Sequence, residues 1–142
     1  MTADHFKSEY QHTFYIIVAW SDMDALAHVN NAKYFTYLES ARVDFLQHYQ
    51  HLMPMPRAGV GPILAYIDCQ FILPVTFPDE VIIGSRVIDV GNTSVKLEQA
   101  IFSTEFEQIA AASKSVLVLI NYSTGEKVKV PDGVRELVYK KT

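Results

Sequence analysis

Asn31-Ala32-Lys33-Tyr34-Phe35-Thr36-Tyr37-Leu38-Glu39-Ser40-Ala41-Arg42-Val43-Asp44-Phe45-Leu46-Gln47-His48-Tyr49 repeats apolar side chains at Tyr34, Leu38, Ala41, Phe45 and Tyr49, with Phe35, Tyr37 and Leu46 flanking the same arc. Steps of three and four return to one side of a helix with 3.6 residues per turn, so the stretch predicts an amphipathic helix from Asn31 to Tyr49. At 1.5 Å per residue it spans roughly 28 Å, nearly the diameter of a small domain. Asn30 or Asn31 can cap its free N–H groups, and Val29 can staple onto Tyr34. No other segment offers a long helix.

Outward from that helix the period changes. On its N-terminal side, Thr13 to Trp20 is rich in β-branched and aromatic residues and is closed by Ser21-Asp22-Met23-Asp24, which reads as a strand and a loop. On its C-terminal side, His51 to Pro62 holds Pro54, Pro56, Gly59, Gly61 and Pro62 and reads as a loop. Four alternating segments follow. Ile63, Ala65, Ile67, Cys69, Phe71 and Leu73 fall on one face; Val81, Ile83, Ser85 and Val87 on one face of the next; Val95, Leu97, Gln99 and Ile101 on one face of the third. The fourth, Ala111 to Tyr122, is apolar on both faces, as a central strand would be. Gly91-Asn92 reads as a hairpin turn, Pro74 to Asp79 as a wider connection, and Ser123 to Glu126 as another turn. Thr124 to Val130 extends a strand, and Pro131-Asp132 introduces a short terminal helix.

The order of strand, long helix and four strands predicts an α+β domain over residues 1–142: an antiparallel sheet with one helix on one face. One helix covers one side only. The even-numbered Ile82, Ile88, Phe102, Val116 and Val118 occupy the other, so a second copy is expected to cover part of it or to extend the sheet edge.

The composition narrows the function. The 142 residues are 49% hydrophobic and 20% charged, which excludes disorder and collagen-like repeats. Twelve Lys plus Arg against sixteen Asp plus Glu give a net charge of −4 without a basic run, so nucleic acid is not an expected partner. The single Cys69 can form neither an internal disulfide nor a zinc site with neighbours at ligand spacing. The start of the chain is polar and acidic, and no stretch reaches the length of a membrane span. A soluble, cytosolic protein is expected.

The chemistry concentrates in Val18-Ala19-Trp20-Ser21-Asp22-Met23-Asp24-Ala25-Leu26-Ala27-His28-Val29-Asn30-Asn31-Ala32-Lys33-Tyr34. Acidic, imidazole and amide side chains stand directly before the start of the long helix. An open helix start offers free N–H groups and the positive end of a dipole, which suit an oxyanion or a polarised carbonyl. A carboxylate beside it suffices for a thioester, because a leaving thiol with a pKa of about 8.5 departs with little help from an acid. No Gly-x-Ser-x-Gly motif is present, and Cys69 alternates onto an apolar strand face, where it reads as core.

Asp24-x-x-x-His28-Val29-Asn30-Asn31-x-Lys33-Tyr34 followed by Leu38-Glu39-x-Ala41-Arg42 resembles the hotdog-fold acyl-CoA thioesterases, in the group of hydroxybenzoyl-CoA thioesterase and bacterial long-chain acyl-CoA thioesterases. The likeness continues, in the same order, through Ile67 to Pro74, Asp79-Glu80-Val81, Val90 to Val95 and Pro131 to Arg135. It implies a five- or six-stranded antiparallel sheet wrapped around one long helix, a homodimer or a dimer of dimers, and an active site at the dimer interface. It implies hydrolysis of an acyl-CoA to free acid and coenzyme A without metal or redox cofactor. By the same resemblance Asp24 is the nucleophile or general base, and the N–H near Asn31 polarises the thioester carbonyl. His28 and Asn30 shape the loop and touch substrate. One position departs from the family, which has Gly directly before the His where this chain has Ala27. If that position needs φ > 0, Ala costs about 1 kcal/mol and narrows or shifts the site.

Competing readings attach to each residue. Asp22 rivals Asp24 for the carboxylate; His28 is also a residue that merely orders the turn; capping alone accounts for Asn30 or Asn31. Glu39 and Arg42, one turn apart, form an ion pair or act across a dimer. Ser94 either reaches substrate or serves its turn. Arg86, Lys96 and Lys114, on even strand positions, either gather around the phosphates of coenzyme A or are solvated. The aromatic residues of the helix pack the core first and line an acyl pocket second. Rival functions on the same fold are a hydratase or dehydratase of acyl thioesters, which would need an acid–base pair such as Asp24 with His28, and a binding module that holds acyl-CoA without turnover.

Overall fold

The computed structural model describes residues 1–50 and 59–140. Helix α1 (Ala3–Ser8) precedes β1 (His12–Ile17), and a short 3₁₀ turn (Trp20–Asp22) leads to the long helix α2 (Asn31–His48). Then come β2 (Val60–Ile67), β3 (Gln70–Phe71), β4 (Glu80–Val90), β5 (Ser94–Ser103), β6 (Gln108–Asn121) and a 3₁₀ helix (Asp132–Leu137). The sheet runs β1-β4-β5-β6-β2, with β3 joined to β6 beyond the end of β2, and every ladder is antiparallel. This is the expected α+β architecture, a six-stranded sheet with α2 on its inner face.

Helix α2 starts where its sequence says it should. Asn30 is the cap, its Oδ1 accepting the Ala32 N–H at 2.8 Å, and Tyr49 closes the other end. Tyr34, Tyr37, Leu38, Ala41, Phe45 and Leu46 are buried against the sheet, as their spacing predicts. The first half of α2 packs with Val29, Val75, Val81, Ile83, Ile101 and Ala111; the second packs Phe45 and Leu46 with Val87, Val95, Leu97, Leu117 and Val130. Between the two clusters runs a polar stripe: Ser85, Gln99 and Ser113 face one another across three strands. Gln99 Nε2 donates to Leu38 O at 3.2 Å and to Ser85 Oγ at 3.0 Å, tying the middle of α2 to the middle of the sheet.

Four expectations change. The outer face around Ile82 and Phe102 is covered by α1 of the same chain, not left for a second copy: Phe6, 1% exposed, stacks on Phe102 at 4.9 Å between ring centres. Tyr10 completes this cover by lying on Gly84, where an added Cβ would stand 2.4 Å from its ring. Six residues are too few to show a helical period, which is why α1 escapes a pattern reading.

The single-face alternation from Ile63 to Leu73 is broken by a bulge between Leu64 and Tyr66, which reverses the phase. Leu64 therefore pairs with the inward Leu117 and Ile63 with Val118, both side chains being exposed at this open edge, while Ile67, Cys69 and Leu73 pack on the core. Of the loop expected over His51 to Pro62, residues 51–58 lie outside the described residues, and Gly61 and Pro62 belong to β2, an edge strand where Pro is tolerated. The strand expected over Thr124 to Val130 reduces to one bridge, Ile120 to Lys127. Among the described residues no helix is long and apolar enough to cross a membrane.

Candidate active site

The chain from β1 to α2 is fixed by backbone bonds before any side chain contributes. Val18 N–H donates to Asp79 O at 2.9 Å, Val29 N–H to Val75 O at 2.8 Å and Asn30 N–H to Asp22 O at 3.0 Å. Between the bridged Met23 and Val29 the chain folds into a tight loop, closed by Asp24 N–H to His28 O and Ala27 N–H to Asp24 O, both 3.0 Å. The loop turns through Ala27 at φ 62°, the left-handed region that favours glycine. The residue that departs from the family pattern thus occupies a backbone conformation unfavourable to a side chain.

The two carboxylates of this segment have different surroundings. Asp22 Oδ2 accepts the Tyr37 hydroxyl at 2.6 Å and the Ala19 N–H at 3.0 Å, with Lys33 Nζ 3.8 Å from Oδ1. Burial alone would raise its pKa, but the hydroxyl, the amide and the ammonium outweigh it and hold the carboxyl below its ordinary value. The Tyr37 hydroxyl is pushed well above its usual range by burial and by the Asp22 charge, so it stays a donor. Asp22 is thereby occupied in fixing the loop to the helix. Asp24 is exposed: Oδ1 accepts the Leu26 N–H at 2.9 Å and Oδ2 faces Asn30 Nδ2 at 3.3 Å. Asn30 therefore caps the helix with its oxygen and steadies the Asp24 carboxylate with its nitrogen.

Asp24, His28, Asn30 and Asn31 line one cavity of about 330 Å³, whose apolar wall is Leu26, Val29, Tyr34 and the segment Phe71 to Pro74. The Asn31 N–H, at the first position of α2, makes no hydrogen bond among the described residues. Tyr34 is pinned there, its hydroxyl donating to Leu73 O at 3.3 Å and accepting the Val75 N–H at 3.0 Å. The wall from Phe71 to Pro74 is absent from the residues assigned to the site by sequence, although Ile67 to Pro74 stands out as a motif. What brings it there is the antiparallel seat of β3 on β6, a tertiary fact.

Other candidates lie apart from this cavity. Ser94 stands at the β4–β5 hairpin, where Gly91 N–H donates to its carbonyl at 2.8 Å, on the sheet end that packs with the second half of α2. Arg86 does not offer its charge to a ligand: it binds Glu98 and the Glu9 carbonyl and is sandwiched between Tyr10 and Tyr139, 4.6 and 4.4 Å from their ring centres. It clamps both chain ends to the outer face, while Lys96 and Lys114 remain exposed. Glu39 and Arg42 form no ion pair among the described residues; Glu39 is exposed and Arg42 buried. Burial and the nearby Asp68 raise the pKa of Cys69, keeping the thiol protonated and poorly suited to attack.

Comparison with known proteins shows the family and the fold. The profile of the thioesterase-like superfamily matches residues 18–138. The long-chain acyl-CoA thioesterase FadM of Escherichia coli is 26% identical over 114 residues, 80% of this chain and 86% of that protein. Among solved structures, the PA2801 protein of Pseudomonas aeruginosa superposes with a TM-score of 0.81 at 29% identity, covering 92% of this chain and 99% of that one. A Thermus thermophilus thioesterase solved with coenzyme A and Zn superposes with a TM-score of 0.75 at 26% identity, covering 92% and 99%. By profile and by fold alike, this chain is a hotdog-fold member of the thioesterase-like superfamily.

Proposed function

We propose that this protein is an acyl-CoA thioesterase, hydrolysing an acyl-CoA to free acid and coenzyme A with Asp24 as its carboxylate and the Asn31 N–H as its carbonyl-polarising donor. The observation that carries the reading is the Asp24 carboxylate, oriented by Leu26 and Asn30, at a cavity that Asn31, whose N–H is unbonded among the described residues, and an apolar wall also line. The similarity to FadM supports the substrate class.

The steps follow from charge. The thioester carbonyl lies against the start of α2, where an N–H and the helix dipole stabilise the negative charge that develops on oxygen. Acting as base, Asp24 takes a proton from water as the water oxygen adds to the carbonyl carbon; the tetrahedral oxyanion then collapses and expels the thiolate of coenzyme A. Acting as nucleophile, Asp24 displaces the thiolate itself and the resulting anhydride is hydrolysed. His28 and Asn30 bound the substrate on the polar side, and Phe71, Leu73 and Tyr34 hold the acyl group.

Asp24 is exposed in a single chain, and so are Leu26 at 77% and Ile72 at 53% beside it. A homodimer, or a dimer of dimers, joined along the open β2–β3 edge closes the site. A two-fold axis across that edge runs the two chains antiparallel, so the hairpin bearing Ser94 in one subunit approaches the cavity of the other. The acidic balance and single thiol fit a cytosolic enzyme.

The test is thiol release from short, long and aromatic acyl-CoAs by wild type, Asp24→Asn and Asp22→Asn. Turnover that disappears with Asp24→Asn supports the assignment; full turnover in that variant removes Asp24 from the mechanism. Ala27 at φ 62° favours one second reading, a module that binds acyl-CoA without hydrolysing it. Its mark is a melting temperature raised by acyl-CoA with no thiol released by wild type.

A further inference from the structure

Arg42 is 6% exposed, and its Nη1 is buried without a hydrogen-bond partner among the described residues. A guanidinium is charged at any physiological pH, and a buried cation without an acceptor is among the costliest arrangements a fold can hold. Burial lowers its pKa while the charge of Glu39 works the other way. Glu39, three residues earlier on α2, is exposed and makes neither a hydrogen bond nor an ion pair among the described residues. A cation lacking an acceptor and an anion lacking a donor therefore sit on one helix without meeting each other.

Both border a groove of about 300 Å³, formed by Glu39, Arg42, Val43 and Leu46 of α2 and by Pro62 and Leu64 of β2. Among the described residues strand β2 pairs with β6 on one side only, which leaves its other edge open, and Ile63, Leu64 and Tyr66 are 41%, 43% and 54% exposed along it. An open edge flanked by apolar side chains is a surface for a further strand. A second copy of this chain matches it in charge, since each copy offers one exposed carboxylate and lacks one acceptor. In a two-fold interface the same patch meets itself, so whatever one copy lacks and also offers is satisfied twice.

We propose that Arg42 and Glu39 are the reciprocal charge pair of the homodimer, the Arg42 guanidinium of each chain receiving Glu39 of the partner subunit across the groove between α2 and β2. This rests on the homodimer stated above and names the residues that set its register. Arg42 lines the groove and its guanidinium makes no hydrogen bond among the described residues, so the partner's carboxylate supplies the acceptor it lacks. Burial excludes water from the pair and makes it stronger than a surface ion pair.

Sedimentation velocity over a dilution series tests it with wild type, Glu39→Lys, Arg42→Glu and the exchanged double variant Glu39→Arg/Arg42→Glu, each checked for folding by circular dichroism. The expected result is a wild-type dimer whose dissociation constant rises at least about 30-fold in either single variant and returns most of the way in the double variant. A wild-type monomer, a Glu39→Lys variant that associates like wild type, or a folded double variant that stays dissociated overturns the pairing. If Arg42→Glu does not fold, Glu39→Lys decides alone, since its site is exposed. Thiol release measured on the same samples separates the two proposals. A charge-dependent dimer without turnover supports the pairing while the thioesterase reading falls, and an active monomer does the reverse.

Discussion

The two halves of α2 are continuous in sequence and opposite in use. From Asn31 to Leu38 the helix begins in a loop of exposed polar groups, with its first N–H unbonded and Asp24 beside it. From Ala41 to His48 it is sealed: Phe45 is fully buried among Val87, Leu97, Leu117 and Leu119, and its ring meets His12 at 5.8 Å and Tyr49 at 4.9 Å. Apolar burial is worth roughly 25 cal/mol per Å² removed from water, and both halves contribute it, through Tyr34, Tyr37 and Leu38 in the first and Ala41, Phe45 and Leu46 in the second; only the first half adds an open polar end. The candidate reactive geometry is thus confined to the first turn of the helix, while burial is carried on both sides of the Gln99 to Leu38 bond.

That division can be broken from either end. Asp24→Asn should lower thioester turnover about a thousand-fold and leave the melting temperature nearly unchanged, because the side chain is exposed and its loop is held by backbone bonds. Phe45→Ala should do the opposite, costing about 3–5 kcal/mol of unfolding free energy in urea titration. Turnover per folded molecule should persist; a comparable stability loss from Asp24→Asn would refute the division. Asp22→Asn belongs to both halves of the comparison, since it weakens the Tyr37, Ala19 and Lys33 contacts. It should cost about 1–3 kcal/mol and reduce turnover only in part.

Smaller effects sharpen the contrast. His12 reaches Asp44 Oδ2 at 2.7 Å, yet burial lowers its pKa from 6.5, outweighing Asp44, while the neighbouring His48 acts in the same direction. The unfolded chain therefore binds the proton first as pH falls. The His12 contribution is constant above 6.5 and becomes destabilising from 6.5 downward until the folded-state pKa is passed. Wild type should accordingly lose more melting temperature than His12→Gln as the pH falls from about 7.5 through 6.5, with the difference starting near that pKa of the unfolded chain. Ala27→Gly should relieve the left-handed strain and raise stability by up to about 1 kcal/mol, read as a small upward shift in melting temperature. No gain would mean that the surrounding loop bonds already compensate for the side chain.

Legibility follows the length over which a pattern repeats. Helix α2 ends within one residue of its reading, and the inward faces of β4 and β5 are the odd-numbered ones, because eight or more residues carry the period. The outer cover by α1 escapes, since one buried Phe6 in a six-residue helix makes no pattern. The edge strand is misphased because a bulge costs one residue and reverses every side chain after it.

The site divides in the same way. Asp24, His28, Asn30 and Asn31 are legible because they are close in sequence and precede a helix start, and local backbone bonds bring them to one cavity. Phe71 to Pro74 arrives from forty residues away by pairing on β6, which no local spacing encodes.

Sequence by itself determined the class of fold, the length and start of the helix, and the segment that bears the polar groups, since each follows from side-chain order along a few turns or strands. Tertiary structure decided that Asp22 is bound by Tyr37 while Asp24 stays open, that Arg42 is buried away from Glu39, and that Ala27 is left-handed. Two carboxylates two residues apart are chemically the same group until the rest of the chain folds around one of them and supplies its donors.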